Sequence, residues 1–346
     1  MEHYSVLMST YQKESPAFLR TAIESMLLQT VQPSEFVLVC DGTLTEELDQ
    51  VIDNFGEKLS VYRRVENKGL GPSLQEGLSY CHEGIIIRMD SDDISFPDRC
   101  ARELQAMKEH NADIVSGTVL EFSDESRDSN FEMQHRKMAK ADIGQYDEAK
   151  TETKVEANEE AEAEEKAEVE AKAKIEARIE ANEEAEEADE KAEVEAKAEI
   201  EAKAELKIIG QRELPEYQED ILRYSRKRNP FNHPAVCFHK DVILKAGGYN
   251  GDFPLFEDYD LWTRALQSGA KGYNIPEPVL YMRTTKDLYK RRGGWKYAGH
   301  MLRFHRNLQK KGYTTAANFL TGAVPHAVIC VLPAEIRKLV YQGLHS

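Results

Sequence analysis

Gly84-Ile85-Ile86-Ile87-Arg88-Met89-Asp90-Ser91-Asp92-Asp93 is the stretch on which the reading of this chain turns. The apolar, β-branched run Ile85–Ile87 reads as a buried strand, and it ends in three acids packed into four positions. Carboxylates that close repel one another. A divalent cation between them relieves the repulsion, and hard oxygen ligands suit Mg²⁺ or Mn²⁺. Such a cation in turn attracts phosphate. The stretch therefore predicts a strand that delivers a metal clamp, in an enzyme acting on a nucleotide-activated substrate. With the spacing Asp90-x-Asp92, one carboxylate can reach a ribose while the other holds the cation. The competing reading makes Asp92, Asp93 or Ser95 the N-cap of a helix opened by Pro97. That accounts for one of the acids and leaves the others unexplained.

Working outward, the chain from its start to about residue 122 alternates strand-like and helix-like segments. Tyr4–Met8, Glu35–Cys40, Leu59–Val65, Gly84–Met89 and Ile114–Phe122 read as strands. Pro16–Leu28, Thr45–Phe55, Gly71–Cys81 and Pro97–His110 carry apolar residues at helical spacing, as in Phe18, Leu19, Ala22, Ile23, Met26 and Leu27. Alternation of this kind predicts an α/β fold with a Rossmann-like, mostly parallel central sheet flanked by helices. Ligands of such sheets bind beyond the carboxyl ends of the strands. Ser9-Thr10-Tyr11, Asp41-Gly42 and Asp90–Asp93 all fall at such ends. Globular character resumes near Leu214, with helices at Tyr217–Arg226, Asp241–Ala246 and Phe256–Ser268, and strands at Pro234–His239 and Val279–Arg283.

Between these halves the composition shifts to Ala, Glu and Lys. Residues 155–161 recur at 179–185, and no Pro or Gly interrupts 145–209. Strong helix formers and favourably ordered Glu-to-Lys pairs four apart, such as Glu162/Lys166 and Glu168/Lys172, predict a single solvated helix. An acidic insertion without fixed structure is the alternative. Expected boundaries are 1–137 for the first α/β half, 138–213 for the helical insertion, 214–297 for the second half, and 298–346 for a basic, partly apolar helical tail.

The formal charge of −17 misleads, because residues 147–207 hold 24 acidic against 10 basic side chains and the remainder carries only −3. Lys286–Ser346 is basic, with 11 Lys and Arg against Asp287 and Glu335. Basic residues beside the apolar stretch Phe319–Leu332 favour an anionic lipid surface, so peripheral contact with the inner face of a plasma membrane is expected. The alternative is ordinary solvation of helices. The apolar run 316–333 is interrupted by Pro325 and His326 and is marginal as a span. Five scattered cysteines without CxxC spacing fit a reducing compartment and no zinc site, and the residues from Met1 to Tyr4, with no basic or long apolar stretch, lead to the expectation of no signal peptide. A cytoplasmic location is expected.

A second acidic cluster, Glu257-Asp258-Tyr259-Asp260, opens a predicted helix, where one acid is accounted for by the helix dipole and another is free to act as a general base toward a hydroxyl. Asp41 is placed to accept hydrogen bonds from a nucleobase, or else is a turn residue before Gly42. Asn67-Lys68-Gly69-Leu70-Gly71 is neither a Walker A loop nor a GxGxxG motif. Two acidic sites without a Ser or Cys nucleophile motif point to group transfer from a nucleotide diphosphate.

In the order and combination of Ser5–Tyr11, Val39–Thr43, Asn67–Gly71, Arg88–Ser95, Asn229–Val236, Gly247–Tyr249 and Phe256–Trp262, the chain resembles the family-2 glycosyltransferases of the GT-A fold, in particular those of exopolysaccharide and amylovoran-type biosynthesis. The resemblance implies that Thr10, Tyr11 and Asp41 hold the base and that Lys68 lies in the donor site. It implies further that Asp90 meets the ribose, Asp92 ligates Mn²⁺ or Mg²⁺, Asp258 is the base of an inverting transfer, and Glu257 orients acceptor or base. The implied partners are a UDP-sugar donor and a saccharide or lipid-linked acceptor, with no nucleic acid. Two departures stand out. Cys40-Asp41 replaces the usual acidic pair, and processive members carry Gln-x-x-Arg-Trp where this chain has Arg291-Arg292-Gly293-Gly294-Trp295, which favours addition of a single sugar. Lys290, Arg291 and Arg292 are candidates for steadying a diphosphate. The competing function is a non-catalytic sugar-nucleotide-binding or scaffold protein that uses the long helix to meet a partner.

Overall fold

A computed structural model describes residues 3–123, 207–284 and 293–332. Residues 138–206 of the expected insertion over 138–213, the cations Lys290, Arg291 and Arg292, and the end of the tail from 333 lie outside the described residues.

Among the described residues nine strands form one sheet. In chain order they are β1 (Tyr4–Tyr11), β2 (Glu35–Asp41), β3 (Ser60–Arg63), β4 (Ile85–Asp90), β5 (Ile94–Ser95), β6 (Ile114–Ser123), β7 (Ile208–Arg212), β8 (Val236–His239) and β9 (Gly272–Thr284). Their spatial order is β3-β2-β1-β4-β8-β6-β9-β5, with β7 added on β6. β1 to β4 pair in parallel; β8 runs antiparallel to both β4 and β6, and β6 and β9 are parallel. Six of the nine strands thus share one direction. The chain builds β2 and β3 on one side of β1, then crosses to place β4 on the other. The carboxyl ends of β1 and β4 therefore flank a switch point, where open α/β sheets leave a crevice for ligands.

Period-two alternation sorts the side chains of β1 between two layers. Tyr4, Val6 and Met8 face Leu19, Ala22, Ile23 and Met26 of α1 (Pro16–Leu27), whereas Leu7 faces Leu74 and Leu78 of α3 (Leu70–Tyr80). The first layer also takes α2 (Glu46–Asp53), capped by the Thr45 hydroxyl, and α4 (Arg99–Glu109). The second takes α5 (Gln218–Tyr224), α6 (Lys240–Lys245) and α7 (Glu257–Gln267) around the fully buried Trp262, whose indole meets Phe231, Phe238 and Tyr249. Burying a side chain of that size contributes on the order of 3 kcal/mol. It fixes α7 on the sheet and, with it, the acids at the start of the helix.

The expected elements recur with small shifts at their ends. Two differences have physical causes. Ile208–Arg212, expected inside the insertion, is a strand because it finds the open edge of β6. β9 begins at Gly272, ahead of the expected strand Val279–Arg283, and runs through Pro276 and Pro278; the register on β6 shifts at Gly117 and Thr118, and the bulge accommodates the prolines. The C-terminal helices are α8 (Gly294–Lys310), then a helical run of α9 (Ala316–Asn318), a π turn and α10 (Val324–Val331). Among the described residues no helix is long and apolar enough to cross a membrane.

Candidate active site

The sheet register brings the sequence-predicted residues to one edge. Ser9 of β1 lies opposite Asp90, the last residue of β4, and Tyr11 lies opposite Asp41, the last residue of β2. Beyond β4 the carboxylates of Asp90, Asp92 and Asp93 converge, with ligand oxygens all within 4.8 Å of one another. None of them caps the next helix, which starts at Arg99 behind Asp98. Burial, then repulsion from Asp90 and Glu14, pushes the Asp92 carboxyl up to about 7, with Arg283 opposing the shift. Asp93 is buried outright and is held well above the usual carboxylate range by that burial and by Asp92 and Asp90. Its Oδ1 accepts the Arg283 N–H at 2.7 Å, while Oδ2 has no hydrogen-bond partner among the described residues. A set of crowded carboxylates, with one oxygen unspoken for, fits a hard divalent cation. Sequence reasoning named Asp90 and Asp92; the structure adds Asp93 and, acting on Asp92, Glu14, whose Oε2 accepts from Ser91 Oγ at 2.5 Å.

Asp41 is 3% exposed and fully engaged. Arg64 Nη1 reaches its Oδ1 at 2.7 Å, and the backbone N–H groups of Lys68 and Gly69 donate to Oδ1 and Oδ2 at 3.0 and 2.7 Å. Gly42, at φ +87°, lets the chain turn under Asn67, where a Cβ would stand 2.9 Å from the Asn67 nitrogen. Asp41 thus holds the 64–69 loop against the sheet edge. Lys68 meets it through its backbone, and its own side chain is 60% exposed. At the end of β1, Thr10 Oγ1 is buried without a partner among the described residues, and the Tyr11 ring is 37% exposed over the same edge.

The second acidic pair enters from α7. Asn229 donates to Asp258 Oδ2 at 2.6 Å, and the Tyr259 N–H donates to Oδ1 at 2.8 Å. Glu257 is shifted upward, chiefly by burial, and its Oε2 has no hydrogen-bond partner among the described residues. Tyr249 links the two acidic groups. Its buried hydroxyl, raised by that burial, also feels Arg88, Asp258, Asp90 and Glu257, and it lies 3.0 Å from His233 Nε2. His233 is pushed well down by burial and by Arg88, so its ring is neutral. Arg88, from the strand itself, is 1% exposed, bonds Asp90 and leaves Nε and Nη1 without acceptors among the described residues. Sequence reasoning did not assign roles to Arg88, His233 or Tyr249. The signal was present in Arg88, a cation in a buried strand two residues before the acids.

Comparison with known proteins bears on this arrangement. Residues 5–159 match the family described as Glycosyl transferase family 2. The chain is 29% identical over 342 residues, covering 98% of it and 95% of the relative, to the UDP-Gal:alpha-D-GlcNAc-diphosphoundecaprenol beta-1,3-galactosyltransferase of Escherichia coli. It is 24% identical over 345 residues, 98% of both chains, to the amylovoran biosynthesis glycosyltransferase AmsE of Erwinia amylovora. Among solved structures, the mannosyltransferase PcManGT of Pyrobaculum calidifontis, in complex with GDP-Man and Mn²⁺, superposes with a TM-score of 0.51. That likeness, at 12% identity, covers 99% of this chain and 80% of that one. It shows the GT-A fold.

Proposed function

We propose that this chain, which has the GT-A fold and matches the family-2 glycosyltransferases over residues 5–159, moves one sugar from a UDP-sugar to a lipid-linked or other saccharide acceptor by an inverting displacement, in surface polysaccharide assembly. The observation that carries the reading is the meeting, around Tyr249 and Arg88, of a carboxylate set suited to a cation with an oriented carboxylate on a separate helix. The Escherichia coli relative's name specifies a UDP-linked donor and a diphosphate-lipid acceptor, which supports that choice of partners.

Asp258 takes the proton of the acceptor hydroxyl as its oxygen attacks the anomeric carbon from the face opposite the leaving nucleotide, so the configuration inverts. Asn229 fixes the direction of that carboxylate, and alignment of this kind lowers the barrier without a strongly shifted pKa. Asp90, Asp92 and Asp93 would hold Mn²⁺ or Mg²⁺, which when bound neutralises charge developing on the leaving diphosphate. Asp90 reaches the ribose, Tyr11 offers a ring to the base, and the loop tied by Asp41 closes the base side. The tail from Gly294 makes peripheral contact with a membrane where lipid-linked acceptors reside.

Calorimetric titration of UDP, with and without Mn²⁺, tests the donor site. Metal-dependent binding that Asp92→Ala abolishes is the expected result; no UDP binding by the folded protein would sink the assignment. Asp258→Asn should keep UDP binding and lose transfer by roughly 10²–10⁴-fold.

A further inference from the structure

Helix α8 carries charges that the transfer described above leaves unused. No Asp or Glu occurs between Asp287 and Glu335. Arg303, Arg306 and Lys310 recur at i, i+3 and i+7 and so share one helix face. All three are exposed, and among the described residues no carboxylate lies within ion-pair distance of them. Two of them rest on rings: the Arg303 guanidinium lies 5.8 Å from the centre of Phe253, and that of Arg306 lies 6.0 Å from Phe319. Rings hold such groups in place without cancelling their charge.

Together with Phe253, Leu302 and Asn307, these cations line a groove of about 510 Å³. The amide nitrogen of Asn307 is buried with no acceptor among the described residues. The groove is tied to the reaction centre. Phe253 lies in the segment that leads into Glu257 and Asp258, and Phe253, Phe256 and Tyr259 pack on Phe304 of α8 at ring separations of 5.3, 5.4 and 4.8 Å.

We propose that this groove binds the diphosphate of a lipid-linked acceptor and so presents the acceptor sugar to Asp258. This rests on the glycosyl-transfer reading and names the group by which the acceptor is held. Two guanidinium forks and an ammonium match a diphosphate's oxygens and charge. The donor's diphosphate belongs at the carboxylate set beyond β4, so a separate set of cations serves a second anion. All three cations line the one groove, so a single headgroup seated there meets them together. Apolar surface for the lipid lies close by in sequence: Leu320, next to Phe319, is 63% exposed, and Val328 is 56% exposed.

The test titrates the full chain, saturated with UDP and Mn²⁺, with farnesyl diphosphate, farnesol, inorganic pyrophosphate and phosphatidylglycerol vesicles. Farnesyl diphosphate should bind more tightly than farnesol or pyrophosphate. Arg303→Gln/Arg306→Gln/Lys310→Gln should weaken it about tenfold or more, given the strength of hydrogen bonds to charged groups, and leave UDP affinity unchanged. Unchanged affinity in the triple variant overturns the proposal. So does pyrophosphate binding as tightly as farnesyl diphosphate, which makes the occupant a free phosphate. Loss of vesicle binding with farnesyl diphosphate binding retained makes the face a membrane contact and also overturns it. If UDP fails to bind but farnesyl diphosphate still depends on the three cations, the donor reading falls and the groove stands. Should the triple variant misfold, Arg306→Gln alone carries the same comparison.

Discussion

Asp260 has no exposed surface, and Arg264 Nε donates to its Oδ2 at 2.7 Å while Asn250 donates at 3.1 Å. The same guanidinium bonds the carbonyls of Ala246 and, at 2.8 Å, Gly248. One buried ion pair thus fixes the turn that carries Tyr249 into the site. Gly248 permits the turn, since at φ +61° a Cβ there would fall 1.9 Å from Gln75 Oε1. Asp260→Ala leaves the partly buried Arg264 cation without its carboxylate and should destabilise the protein by about 3 kcal/mol. Arg264→Ala should cost a similar amount, and the double variant less than the sum, as read by denaturant unfolding; strict additivity would mean the two do not act together. This role was not legible in the sequence. Glu257, Asp258 and Asp260 stand side by side as three acids at a helix start, and only the fold turns one inward to structure and two toward the site. Asp90 and Asp92 were legible because an apolar strand ending in crowded acids demands an explanation on its own. Asp41 was legible in place, while its bonds to Arg64 and the 67–69 loop depend on a partner 23 residues away.

At the scale of elements, periodicity located the strands and helices of the sheet's first half to within a few residues, because each is buried on a face that repeats at its own period. It missed β5, whose two residues are too few to show a pattern, and the early part of β9, where two prolines mask a strand that a register shift permits. Helix α8 buries Ala298, Met301, Phe304 and Leu308 between its cations. His305 of this helix is 3% exposed, and burial, then His326, pushes it down to about 4. An unfolded chain takes up this proton near pH 6.5 and the folded one near 4. The unfolded state therefore binds more protons between these values, and stability falls as the pH drops from about 6.5 to about 4. The loss is on the order of 3 kcal/mol at most. His305→Leu should flatten thermal stability across this window; an unchanged slope would place the titrating group elsewhere.

At the scale of the molecule, most of the net charge lies in a segment whose flanks meet in the sheet. β6 ends at Ser123, β7 starts at Ile208, and Phe122 is the register partner of Ile208. The ends of the intervening chain therefore leave from adjacent points of an antiparallel pair. Loop length is cheap at such a place, about 0.6 kcal/mol for each doubling. Replacing 124–206 by a short Gly/Ser turn, with β7 retained, should leave a folded protein that binds UDP as before; a variant that does not fold would make the segment part of the fold. The strand order has a further consequence. β8, from the second half of the chain, lies between β4 and β6 from the first, and β9 lies between β6 and β5. The two halves are interwoven like the fingers of clasped hands, so the peptide link between Ser123 and Lys207 is not what keeps them together. A chain cut there by a protease should run as two fragments on a denaturing gel and as one particle in gel filtration. The same halves, synthesised separately and refolded together, should reassemble a sheet that neither can close alone.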